Sequence, residues 1–150
     1  MNICLTGGAG YIGSHTAVVL ASAGHSITIL DNFSNSSKSV VIALKKLIVQ
    51  PINWIEGDIL DTRLVENTLR NYKIDAVIHF AGLKAVGDSE KTPLKYYQNN
   101  VCGTVSLLEA MEKANLKQLV FSSSATVYGI PHYLPYDENH PLSPINLWKK

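Results

Sequence analysis

The run Thr6-Gly7-Gly8-Ala9-Gly10-Tyr11-Ile12-Gly13 constrains this chain more than any other part of it. It follows a short apolar stretch, Asn2 to Leu5, and leads into a helical spacing of Ile12, Ala17, Val18, Leu20 and Ala21 that Gly24 closes. Glycines at 7, 10 and 13 between a strand and a helix fit a dinucleotide-binding turn. Gly7 permits the tight turn, Gly10 leaves room for a pyrophosphate, and Gly13 lets the helix sit close to the sheet. A phosphate there meets the unpaired N–H groups of the first helical residues, Tyr11 and Ile12, at the positive end of the helix dipole. Such spacing arises by chance in many chains. Here the strand before it and the helix after it supply the required context.

The rest of the sequence repeats the strand–helix alternation. Strands are predicted over Ser26–Leu30, Pro51–Ile55, Ala76–Phe80 and Leu119–Phe121. Helices are predicted around Val40, Leu44, Leu47 and Ile48 with a serine cap, from Asp61 or Thr62 through Leu69, and from Pro93 to Lys113. The tail from Gly129 to Pro144 holds four of the six prolines and reads as an ordered loop. The expected fold is α/β: a Rossmann-like parallel sheet with helices on both faces and strand order 3-2-1-4-5. Nothing after the fifth strand offers a sixth.

In such a sheet, ligands sit beyond the carboxyl ends of the strands. Asp31, at the end of the second strand and followed by Asn32, is placed to accept hydrogen bonds from adenosine ribose hydroxyls. Its charge repels a 2′-phosphate, and no Lys or Arg occurs before Lys38, so NAD is favoured over NADP. Asp58 is a candidate for the adenine amine, with Ile59 against the ring; the competing reading of Asp58 is a helix cap. Phe80, Ala81 and Gly82 offer compact backbone to the cofactor's middle, and Lys84 a ribose or pyrophosphate partner. His79, inside its strand, reads as a packed structural histidine. No Cys/His group has metal-ligand spacing.

The formal net charge is +1, which disfavours nucleic acid as a partner. The apolar runs are too short to span a membrane and the N-terminus does not resemble a signal peptide, so a cytoplasmic protein is expected. Cys4 and Cys102 are expected to be reduced and mostly buried.

Several longer stretches are more specific: Leu5 to Thr16, Leu30-Asp31-Asn32, Glu56-Gly57-Asp58, Ala76 to Gly87, Asn99-Asn100-Val101 and Phe121 to Gly129. Together they resemble the extended short-chain dehydrogenases/reductases, and within them the UDP-glucose (UDP-galactose) 4-epimerase branch, from residue 1 to about 146. The resemblance implies bound NAD, which takes hydride from C4 of a UDP-hexose and returns it to the other face. It assigns a catalytic serine to Ser124, places Ser122 near the substrate and Asn99 near the cofactor, and implies a homodimer. Related nucleotide-sugar epimerases or dehydratases are the alternative, although Ala125-Thr126 stands where a dehydratase carries an acidic pair.

The family also uses a tyrosine base with a lysine four residues on, whose ammonium stabilises the phenolate. That pair is missing here. The tyrosine position is Trp148, and none of the seven tyrosines has a Lys at the fourth residue after it. An NAD-binding domain over 1–146 and a divergent tail over 147–150 are therefore expected, ending before the sixth strand and the family's C-terminal substrate domain. This predicts a non-catalytic NAD-binding fragment, with apolar helix faces near Leu107, Leu108 and Met111 exposed to self-association or aggregation.

Overall fold

The structure is a computed structural model that describes residues 1–144. Five strands, β1 (Asn2–Thr6), β2 (Ser26–Asp31), β3 (Asn53–Glu56), β4 (Ala76–His79) and β5 (Leu119–Phe121), form one sheet in the order β3-β2-β1-β4-β5. Every neighbouring pair is parallel, with Leu5 opposite Ile29 and Ile78 in the centre. Parallel neighbours need long crossovers, and helices α1 (Tyr11–Ser22), α2 (Lys38–Leu47) and α3 (Thr62–Asn71) supply the first three. The expected Rossmann-like order holds. β3 begins two residues later than its apolar pattern suggests and takes in Glu56 instead of Pro51, which has no N–H to give a ladder.

Two apolar cores flank the sheet. Ile3, Leu5, Ile27 and Ile29 meet Ala17 and Ala21 of α1 and Val41 and Leu44 of α2 on one face. On the other, Cys4, Leu30 and Val77 meet Val65 and Leu69 of α3 and Leu107, Ala110 and Met111 of a later helix. Central strands are buried on both faces, which is why Ile3, Cys4 and Leu5 run on without alternation in β1 and why Thr28 of β2 is buried with its apolar neighbours.

The predicted loop through Gly82 and Gly87 contains a short helix, α4 (Val86–Lys91). The long helix predicted from Pro93 is three segments: α5 (Pro93–Tyr96), a π-helical turn (Tyr97–Cys102) and α6 (Gly103–Lys113). A 3-10 turn spans Ala125–Tyr128. The loop beyond it is gathered around the buried ring of His140. Its Nδ1 donates to the Pro141 carbonyl and its Nε2 accepts from His132 N–H, with Tyr128, Tyr133 and Tyr136 around it.

Two expectations need correction. Leu107 and Met111 are buried against α3 and β4; the exposed apolar stripe of this region is Val101, Val105 and Leu108. Cys102 is exposed, because it lies on the solvent side of the π-helical turn, whereas Cys4 is buried in β1 and its thiol is pushed up to about 12 by desolvation. No helix among the described residues is long and apolar enough to cross a membrane. Trp148 and the rest of the 147–150 tail lie outside the described residues.

Candidate functional site

Two adjoining cavities open beyond the carboxyl ends of the strands and share Ala81, Gly82 and Leu83 as a common wall. The glycine turn shapes the first. Gly7 has φ +68°, and a Cβ there would stand 2.6 Å from Ala81 N. A side chain is thus excluded by both backbone conformation and the end of β4. A Cβ at Gly13 would meet Gly7 O and Gly8 Cα at 2.7 Å, so this glycine lets α1 close on the turn itself rather than on the sheet. At Gly10 a Cβ would have only Gly7 O within 4 Å, at 3.2 Å, and Gly10 lines the cavity. Gly10 is also the N-cap of α1 and offers no side-chain cap, so the first-turn amides of Tyr11 and Ile12 lack an intrahelical acceptor. The side chains of these two residues point outward, 81% and 59% exposed, and form a separate surface with His15 and Val19.

Asp31 is buried beside this turn and accepts three protein hydrogen bonds. They come from Ala9 N–H at 3.0 Å on Oδ2, and from Phe33 N–H at 2.9 Å and the Ser36 hydroxyl at 3.0 Å on Oδ1. The carboxylate thereby ties the loop after β2 to the glycine turn. Asn32, Ser34, Asn35, Ser36, Gly57 and Ile59 continue the wall, and Phe80 and Asn99 close it. Asp58 stands just outside, accepting from Asn32 Nδ2 at 2.8 Å and Leu60 N–H at 2.9 Å. It is not the cap of α3; Asp61 is, accepting Leu64 N–H at 3.0 Å. Ile59 reaches the cavity while its side chain packs in the core, where it fills the space left by Gly103.

The second cavity, of about 260 Å³, brings together Lys84, Ser122, Ser124, Tyr96, Thr104 and the edge of His79. Burial lowers the pKa of Lys84. His79 joins three elements. Thr104 Oγ1 donates to Asn100 O at 2.6 Å, so it accepts from His79 Nε2 at 3.2 Å; Nδ1 then accepts from the Thr6 hydroxyl at 2.6 Å. Desolvation, then the charge of Lys84, lowers its pKa to about 4. A neutral ring fixed in one tautomer matches the structural histidine expected. Among the described residues, no His, Cys, Asp and Glu side chains cluster as a metal site.

The sequence reading missed Ser34, Asn35 and Ser36, which look like helix-capping residues because they precede α2, and Ser37 does cap it. It also missed Gly8, whose absent Cβ would stand 2.9 Å from Leu5, and Asn100, whose amide clamps Leu83 through both its N–H and its C=O. The polar run after a strand end was the signal for Ser34 to Ser36.

The chain is 52% identical over 146 residues to UDP-glucose 4-epimerase of Bacillus subtilis (strain 168), covering 97% of this chain and 43% of that protein. A Klebsiella pneumoniae protein of the same name is 49% identical over 139 residues, 93% of this chain and 100% of its own. Among solved structures, UDP-glucose 4-epimerase of Stenotrophomonas maltophila with bound NAD and formylated UDP-arabinopyranose superposes with a TM-score of 0.95 at 42% identity, covering 99% of this chain and 44% of that one. The Bifidobacterium longum enzyme in complex with NAD+ and UDP superposes with a TM-score of 0.94 at 41% identity, covering 99% and 45%. The chain thus spans less than half the length of most of these relatives. Residues 3–149, from within β1 onward, match one family, and the chain belongs to the NAD dependent epimerase/dehydratase family.

Proposed function

We propose that the first cavity holds the adenosine and pyrophosphate of NAD, and that the chain is the cofactor-binding part, residues 1–146, of a UDP-glucose/UDP-galactose 4-epimerase. The observation that carries this is the pairing of an open, side-chain-free Gly10 at an uncapped helix start with a buried Asp31 at the next strand end. The N–H groups of Tyr11, Ile12 and Gly13 receive the phosphates, and Asp31 and Asn32 the ribose. Asp58 and Ile59 take the adenine; Phe80, Ala81, Gly82, Lys84 and Asn99 hold the middle of the cofactor. When bound, NAD would supply the hydride acceptor and donor for C4 of the hexose.

On this reading Ser122 and Ser124 face the sugar in the second cavity, and Ser124 orients the C4 hydroxyl. Removing the proton from that hydroxyl requires a base. The position that carries a tyrosine in the family is Trp148, and no tyrosine of this sequence has the lysine partner. A positioned base is typically worth ~10²–10⁴-fold, so on this reading Trp148 in that position slows turnover of UDP-hexose by about that factor. A second copy is the expected partner, through the Val101, Val105 and Leu108 stripe; a clean monomer in sedimentation at tens of micromolar contradicts this.

The epimerase reading is tested by a chimera in which residues 1–146 replace the matching part of the Bacillus subtilis relative. The expected result is conversion of UDP-galactose to UDP-glucose, reduced by Ser124→Ala. A folded chimera that binds NAD but forms no product rules out the UDP-hexose assignment. Product from the 150-residue chain alone at an enzymatic rate rules out the missing base.

A further inference from the structure

Lys38 is the first cation in the sequence, and it stands at the start of α2, two residues after Ser36, which lines the first cavity and bonds Asp31. By position it is the side chain most able to pair with a phosphate on the adenosine 2′ oxygen. Its ammonium is already engaged. Lys38 Nζ lies 2.5 Å from Glu56 Oε2 and 5.9 Å from the centre of the Phe33 ring. Glu56 is the last residue of β3, in register with Asp31, and the next residue, Gly57, lines the cavity. Lys45 is engaged lower on the same strand, over Trp54.

We propose that Glu56 is a specificity-determining residue: by holding Lys38 it denies a 2′-phosphate the cation it would need, and it adds to Asp31 in excluding 2′-phosphorylated cofactors. The proposal rests on the first cavity being the adenosine site. The physical reasoning is that a dianionic phosphate is accepted in such a crevice only where a basic side chain offsets Asp31. Both partners of the ion pair are about half exposed, so the pair is not a large source of stability, and its effect is on which ligand Lys38 is free to meet.

The test compares 5′-AMP with adenosine 2′,5′-bisphosphate, which differ only in the 2′-phosphate, by calorimetric titration of the whole chain. The wild type is expected to prefer 5′-AMP. Glu56→Gln keeps the side chain's size, and is expected to leave 5′-AMP unchanged while tightening the bisphosphate about three- to fivefold. Adding Lys38→Ala to Glu56→Gln is expected to abolish that gain. An unchanged preference in Glu56→Gln overturns the proposal while leaving the cofactor site standing. So does a gain that survives the loss of Lys38, which would mean simple repulsion by Glu56. Failure of the wild type to bind either nucleotide overturns both this proposal and the cofactor reading.

Discussion

The two cavities share a wall and differ in what makes them. The first is built around a glycine turn, an uncapped helix start and a loop that Asp31 ties to that turn by three hydrogen bonds. The second is built of side chains carried on the end of β5 and the serines after it, the π-helical turn and the 3-10 turn, with the exposed Phe121 in its lining. A backbone cradle is complete as soon as the sheet forms, and it recognises a charge and a shape. A cavity of side chains does chemistry only when every acid and base is present. On the proposed reading, cofactor binding belongs to the first cavity and substrate chemistry to the second, on either side of the wall from Ala81 to Leu83.

The largest effect is expected where both cavities depend on one residue. Gly7→Ala forces a side chain at φ +68° onto Ala81 and should cost about 3 kcal/mol or more of stability, read by urea unfolding. A cost under about 1 kcal/mol would show that the wall yields.

His79, at the edge of the second cavity, gives the next effect. Burial depresses the folded pKa of His79 from 6.5 to about 4, so between those values the unfolded chain binds more protons than the folded one. This contribution is fully present above about pH 6.5 and is lost as pH falls to about 4, by about 3 kcal/mol in all. His79→Gln should flatten the fall of stability over that window. Parallel pH profiles for the two proteins would contradict it.

Asp31→Asn acts on the first cavity alone. It should weaken NAD binding about tenfold, since hydrogen bonds to a charged group are each worth about 1.5–3 kcal/mol. The smallest effect separates two neighbouring aspartates. Asp61→Ala should lower stability by about 1 kcal/mol through the lost cap of α3 and leave NAD affinity alone. Asp58→Ala should do the reverse, and identical behaviour of the two would remove Asp58 from the site.

How much of this was legible in the sequence follows the same division. Strand order and the glycine turn could be read because apolar runs and glycine spacing are local signals. The end of α1 could be read too: Gly24 adopts φ +87°, and Gly24 and His25 N–H close back on Ala21 and Leu20. The ends of α3 and α6 use the same closure with Lys73 and Asn115 at positive φ, and neither residue type announces it as glycine does. The face of α6 was misassigned at Leu107 and Met111 because helical spacing gives a stripe without saying which side α3 occupies. The π-helical turn and the Asn100 clamp depend on contacts with the chain after β4, so no local pattern records them. Asp58 and Asp61 both precede a helix, and only hydrogen bonding showed which one caps it.

The most direct test is calorimetric titration of the 150-residue chain with NAD, repeated on Gly10→Val. Saturable one-to-one binding that the substitution abolishes is the predicted result. Absence of binding by the wild type, or binding indifferent to a side chain at position 10, would contradict the claim that the glycine turn is a working cofactor site.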